Sequence, residues 1–236
     1  MSGIYIHIPY CKQACHYCDF HFSTSMKTKN EMIDCIVKEM DIRENEFSKK
    51  INSVYIGGGT PSLMTNLELE TIFNGLEKKI SIGNIKEVTI EINPEDLINE
   101  KLDFYKEIGI NRLSIGIQSM NNKILKWMNR SHDTSQVING LNNTKDAGFE
   151  NISLDFIYGT PKNLSRDYKA ELLEILKFNP THLSCYHLTI EDGTYFKHLE
   201  KKREIKRIGD DVSQEEFLWI SEKLKSKNYQ HYEISN

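Results

Sequence analysis

Six short apolar or alternating runs recur along the chain, and each is followed by a segment with helical periodicity. The runs are GIYIHI (3–8), SVYIG (53–57), EVTIEIN (87–93), RLSIGIQ (112–118), ISLDFIYG (152–159) and HLSCYHL (182–188). All have strand length and are rich in β-branched and aromatic residues. In EMIDCIVKEMDIRENEF (31–47) the apolar Met32, Ile33, Ile36, Val37, Met40 and Phe47 fall largely on one stripe, with charges opposite. Segments 66–80, 99–109, 122–129, 134–148 and 167–178 read similarly, and stops such as Gly109 and Gly148 close several of them. Strict alternation of the two patterns predicts an α/β fold with a parallel sheet and right-handed crossovers. Six such units predict a partial (β/α)6 barrel forming one core domain over 1–236. A further helix over 213–227 and a candidate seventh strand, YQHYEIS (229–235), follow it.

In parallel β/α folds, ligands bind at the carboxyl ends of the strands. The polar and glycine-rich sequences of this chain all follow strands. PYCKQACHYC follows the first, GGGTPS the second, NPED the third, QSMNN the fourth and GTPKN the fifth. They are expected to converge on one face.

Composition changes this picture little. Of the 236 residues, 39% are hydrophobic and 27% charged, ordinary for a soluble globular protein. A net charge of −4 gives no argument for nucleic acid. The basic run KKREIKR (201–207) reads as a solvated helix end or loop. No secretory leader and no apolar stretch of membrane-spanning length is visible, so no transmembrane segment is expected. Five cysteines, three of them within eight residues, argue for a reducing cytoplasm and for metal or cluster chemistry rather than disulfides.

Those three are Cys11, Cys15 and Cys18. Structural zinc wants four protein ligands, and no second cysteine pair follows, although His7, His16 or His21 could complete a site. An iron–sulfur cube held by three thiolates would leave one iron open to a non-protein ligand. Cys35, on a helical apolar stripe, and Cys185, within a strand run, read as core thiols. Gly57, Gly58 and Gly59 either admit a ligand to the backbone or form a tight turn into a helix started by Pro61, with Thr60 or Ser62 as its cap. Glu91 and Asp155 are acids within apolar strands, and Gln118 ends another. Each is either a ligand contact or a buried polar group paired within the protein. Arg130 is either a carboxylate fork or a surface arginine.

The motifs together carry a resemblance. CKQACHYC and GGGTP resemble the cysteine and glycine motifs of the radical S-adenosylmethionine superfamily. With YIHIPYC, EINPE, NRLSIGIQS, NRSH, DFIYGTP and LSCYHLTIEDGT, the chain resembles, in order, the oxygen-independent coproporphyrinogen III oxidase family. The resemblance implies a [4Fe–4S] cluster held by Cys11, Cys15 and Cys18, with S-adenosylmethionine on its fourth iron. It places Tyr5 beside the cluster and Tyr17 over the adenine. It assigns Gly58, Gly59, Thr60, Glu91, Gln118, Arg130 and Asp155 to cofactor contacts.

Two branches share these motifs. The oxidases carry a fourth cysteine two residues after the third, and an extension before the first strand. Here position 20 is Phe and the first strand begins at Gly3. The chain therefore resembles more closely the branch of heme chaperones, which implies heme as cargo and a heme-accepting protein as partner. The alternative is oxidative decarboxylation of a porphyrinogen's propionates, which these two departures disfavour. Relatives continue into a C-terminal domain absent here, so the end at Asn236 is expected to be a truncation. No heme ligand is singled out among His7, His16, His21, His132, His187 and His231.

Overall fold

A computed structural model of the chain describes residues 2–48 and 50–234. Six strands, β1 (Ser2–Ile8), β2 (Ile51–Gly58), β3 (Glu87–Ile92), β4 (Arg112–Gln118), β5 (Ile152–Tyr158) and β6 (His182–His187), form one all-parallel sheet in sequence order. The helices between them are α1 (Lys29–Ile42), α2 (Asn66–Glu77), α3 (Asn99–Glu107), α4 (Asn122–Trp127), α5 (Thr134–Asp146) and α6 (Tyr168–Leu176). After β6 come α7 (Tyr195–Lys201) and α8 (Asp210–Lys225).

The strand order never reverses, so right-handed crossovers put every connecting helix on the same face. Such a sheet curls with its helices outside, and β1 and β6 remain as free edges. This is the expected partial barrel.

The alternation of residues along the strands divides two environments. On the outer face Ile6, Ile8, Val54, Ile56, Val88, Ile90, Leu113, Ile115, Leu154 and Phe156 are buried beneath the helices. Each contributes about 1.5–3 kcal/mol of apolar burial. The inner face is polar. Tyr5, Tyr55, Thr89 and Arg112 pair in one row across four strands, and Glu91, Ser114, Ser153 and His182 in the next. Asp155 and Ser184 pair above them.

Helix starts are chemically fixed. Thr65 with Glu68 and Asp133 with Gln136 form reciprocal capping boxes on α2 and α5, each cap worth about 1 kcal/mol.

Some expectations need correction. The stripe read as helical to residue 47 leaves the α-helix at Ile42 and continues as a 3-10 turn, Glu44–Ser48. Cys35 is exposed, not core. Helix α1 covers the outer strands at the sheet's margin, and only Ile33 and Met40 on it are buried. Cys185 does pack on the core, and burial pushes its thiol up to about 12. Helix α7 was not foreseen. Residues 229–234 of the candidate seventh strand carry no strand pairing, and Ser235 lies outside the described residues. The basic run covers the end of α7 and the loop beyond, with Lys201, Lys202, Arg203 and Lys206 exposed. No helix among the described residues is long and apolar enough to cross a membrane.

Candidate functional site

The β1–β2 pairing continues past the strand ends and sets the first cysteine. Gly59 N–H donates to Ile8 O (2.8 Å) and Thr60 N–H to Tyr10 O (2.7 Å). A Cβ on Gly59 would lie 2.7 Å from Tyr10 O and 2.8 Å from Cys11 Sγ. The third glycine thus makes room for the cysteine loop itself. Thr60 starts the turn Pro61–Leu63 without capping it. Its Oγ1 instead donates to Cys11 Sγ at 3.6 Å. Gly58, at φ +124, aims its N–H at Glu91 Oε2 (2.9 Å). Tyr55 Oη donates to Glu91 Oε1 (2.8 Å). Burial raises the Glu91 pKa, and the Tyr55 hydroxyl, the Gly58 N–H and His7 pull it back. Tyr5 stands half-exposed, stacked on Tyr55 with ring centroids 5.9 Å apart, and its hydroxyl meets His7 Nδ1 at 3.0 Å.

Arg130 joins the end of β3 and β4 to the cysteine loop. Its Nη2 donates to Asn93 Oδ1 (2.7 Å) and Gly116 O (2.8 Å), and its Nη1 to Cys15 Sγ (3.4 Å) and Tyr17 Oη (3.3 Å). Both terminal nitrogens are therefore committed within the protein, and only the buried Nε lacks a partner. This is neither the open carboxylate fork nor the surface arginine of the sequence reading. Burial works against its charge, yet Tyr17, Cys15 and Glu95 hold it protonated.

Gln118 ends β4 after a bulge, in the left-handed region at φ +60. Its side chain is buried, with Oε1 unpartnered. An almost fully buried ion pair stands behind this turn. Arg166 Nε donates to Glu171 Oε1 (2.8 Å), and Glu171 Oε2 accepts from Ser119 Oγ (2.5 Å) and Met120 N–H (2.8 Å). On β5, burial pushes the Asp155 carboxyl up to about 7. The Ser184 hydroxyl opposes this shift, Glu91 adds to it and Arg130 opposes it.

Glu91, Asp155, Arg130, Cys11 and Cys15 thus share one electrostatic neighbourhood. The three loop cysteines are free thiols. Burial raises the pKa of Cys11, with Cys15 adding to the rise, and lifts Cys18 to about 11. Among the described residues no three His, Cys, Asp or Glu side chains converge tightly enough to hold a single metal ion. Each of the three sulfurs already receives a donor, Cys11 from Thr60, Cys15 from Arg130 and Cys18 from the Phe20 N–H, and the unpartnered Arg130 Nε and Gln118 Oε1 are also buried. The residues present fit a cluster with a polar organic ligand.

Sequence reasoning passed over Asn93, Ser184 and the Arg166–Glu171 pair. Asn93 and Ser184 look ordinary at strand ends. The ion pair spans five residues across a helix start, where no periodicity marks it. Of the candidate heme ligands, His7 and His21 face each other with centroids 6.4 Å apart. His132 is buried against Ile117 O, His187 packs edge-on to Tyr158 with its Nε2 unpartnered, His231 contacts Ser221, and His16 is held by Trp127 O.

Comparison with known proteins identifies the family and the fold. The sequence model of the Radical SAM superfamily matches residues 5–178. The chain is 32% identical to the heme chaperone HemW of Lactococcus lactis, covering all of this chain and 62% of that protein. It is 37% identical to HemW of Buchnera aphidicola from Schizaphis graminum, covering 99% of this chain and again 62% of the relative. The chain therefore spans about three-fifths of the length of these relatives. Among solved structures, coproporphyrinogen III oxidase (HemN) of Escherichia coli, a radical SAM enzyme, superposes with a TM-score of 0.78 at 24% identity. The match covers 93% of this chain and 52% of that one, and it establishes the shared fold.

Proposed function

The chain belongs to the radical SAM superfamily, and from that premise we propose that it is a heme-chaperone-like protein. In this reading it holds a [4Fe–4S] cluster with S-adenosylmethionine, binds heme as cargo and passes it to an acceptor protein. When bound, the cluster and S-adenosylmethionine supply one-electron reductive chemistry. Cys11, Cys15 and Cys18 are the thiolates for three irons, and the Thr60 hydroxyl and Arg130 guanidinium stabilise the charge on Cys11 and Cys15. Gly58, Gly59, Glu91, Gln118 and Asp155 form the polar wall facing the cofactor, with Tyr5 and Tyr17 as its aromatic borders. Glu91 and Asp155 suit hydroxyl or ammonium groups.

The observation that carries the chaperone reading over the oxidase is Phe20. It stands 72% exposed where the oxidase branch carries a fourth cysteine. Asp19 and Phe20 also line one end of an open groove of about 1240 Å³ along the β6 edge, with Tyr186 and Tyr232 further along it. Ser184, paired with Asp155 across β5 and β6, also lines the groove, and its aromatic residues suit a flat apolar cargo.

Anaerobic reconstitution with iron and sulfide tests the shared part. The expected result is a brown protein with a cluster absorption band. Uptake of one zinc and no sulfide would sink the reading. Reconstituted protein is then given heme, and separately coproporphyrinogen III with S-adenosylmethionine and a reductant. A heme absorption band without porphyrinogen turnover is expected, and turnover to protoporphyrinogen would overturn the chaperone assignment.

A further inference from the structure

We propose that the C-terminal end of α4 is a template that shapes the cysteine loop before any metal arrives, with Gln13, His16 and Asn129 as its positioning residues. The last carbonyls of a helix have no partner within it. Asn129, in the left-handed region at φ +56, closes α4 and leaves the carbonyls of Trp127, Met128 and Asn129 pointing onward. All three are taken up by the loop. Trp127 O accepts from His16 Nδ1 (2.8 Å), Met128 O from His16 N–H (3.0 Å) and Asn129 O from Gln13 Nε2 (2.8 Å). The contact is reciprocal, because Asn129 Nδ2 donates to Ala14 O at 2.7 Å.

Every one of these bonds uses a residue between the cysteines, and none uses a sulfur. Gln13 and Ala14 lie between Cys11 and Cys15, and His16 between Cys15 and Cys18. The spacers that a motif leaves undefined are here the docking strip. Because Nδ1 faces a carbonyl, it must carry the proton, which fixes the His16 tautomer. The ring is also held by aromatic neighbours at the start of α7. Its centroid lies 4.2 Å from Tyr195 and 5.7 Å from Phe196, and Phe196 N–H donates to His16 O at 3.0 Å. Trp127 in turn stacks on Phe196 at 4.1 Å, and Phe196 is fully buried. The loop is thus wedged between two helices.

The energetic consequence follows from counting. Four hydrogen bonds at about 0.5–1.5 kcal/mol each oppose the entropy of a short loop, independently of metal. Three sulfurs must meet three corners of one rigid cube, so a loop ordered in advance spares the cluster that ordering cost. The consequence for cluster uptake rests on the cluster reading above, whereas the template itself rests only on this geometry.

Two variants test it without dismantling the fold. His16→Phe keeps an aromatic ring between Tyr195 and Phe196 but cannot donate from its side chain. Asn129→Gly keeps the left-handed turn but removes the bond to Ala14. Amide hydrogen exchange is measured on metal-free protein, and iron and sulfide uptake and the electron paramagnetic resonance signal of the reduced cluster after anaerobic reconstitution. The template predicts protected His16 and Cys18 amides in the metal-free wild type, which donate to Met128 O and Cys15 O. In the double variant these exchange about tenfold faster, while β4 and β5 stay protected. Uptake falls to about half or less under conditions that saturate wild type, with a broadened signal, the scale of a disturbed outer-shell contact. An unprotected wild-type loop overturns the proposal, as does a double variant with unchanged exchange or with full uptake and an unchanged signal. Wild type that takes up neither iron nor sulfide overturns the cluster reading instead, and the exchange comparison then decides the template alone.

Discussion

At Gly59 the chain has no space for a methyl group, since two neighbours, one of them backbone, would lie under 3 Å from it. Gly59→Ala should therefore push Cys11 away, lower metal-free stability by about 1–3 kcal/mol and reduce iron and sulfide uptake. Thermal melting and metal analysis check this, and a variant with wild-type values in both would refute the close-approach account. Asp155 makes a different demand. Its folded pKa, about 7, lies above the ordinary aspartate value because of burial. The folded state then holds the proton more tightly than the unfolded chain, so stability falls as pH rises from about 4 to about 7. Asp155→Asn removes that slope. Its melting temperature relative to wild type should climb between pH 5 and pH 7 and then level off, and a flat difference would argue against it. Glu91 and Asp155 were legible in the sequence because an acid inside an apolar strand has few explanations. Arg130 was only half legible. Its position stood out, but its partners come from β3, β4 and the cysteine loop, distances along the chain that no local pattern encodes.

Among the elements, the turn after β4 holds the clearest local conflict. A non-glycine residue at φ +60 costs about 1 kcal/mol or more, and Gln118 is kept there by the Arg166–Glu171 pair behind Ser119 and Met120. Glu171→Ala leaves a buried guanidinium unpaired and should cost about 3–5 kcal/mol. Gln118→Gly should leave stability unchanged or raise it by up to about 1 kcal/mol, yet weaken S-adenosylmethionine binding to the reconstituted protein. Urea unfolding and calorimetric titration read the two separately, and binding unaffected by Gln118→Gly would remove this residue from the cofactor wall. All six strands were legible within a residue or two, because strands packed between helices and an open wall must alternate. Helix α7 was not. It has seven residues and one fully buried side chain, Phe196, so its periodicity is too short to register. Its only local mark is Thr194, whose side chain accepts from Lys197 N–H at 3.2 Å. The tail 229–235 erred the other way. Its alternation reads as a strand, yet in the structure Tyr229 and Tyr232 bond to Pro180 O and His182 without forming a ladder.

For the molecule as a whole, the alternation inside the strands is the informative departure. Parallel sheets covered on both faces are apolar throughout, whereas here polar residues or glycine hold every second position of β1, β3 and β4, and Ser153 and Asp155 do so in β5. The sheet therefore has one apolar core, outside, and one polar, largely buried wall, inside. Stability is divided accordingly. Strands β2–β5 are buried beneath α1–α6, while α8 fully buries only Ile220. It leans on α6 through Trp219 against Tyr168 (5.7 Å) and is tied to the end of β5 by Glu216 Oε2, which accepts from Gly159 N–H at 2.9 Å. Gly159, at φ +78, ends the strand that carries Asp155, so α8 braces one end of the candidate site from behind. Hydrogen exchange should find residues 210–225 opening well before 112–118. Glu216→Ala should speed exchange in α8 and at Gly159 by about tenfold, the loss of one charge-assisted bond, while β3 and β4 keep their protection. If α8 instead exchanges in step with the central strands, it is part of the cooperative core, and the wall it supports is as rigid at β5 as at β3.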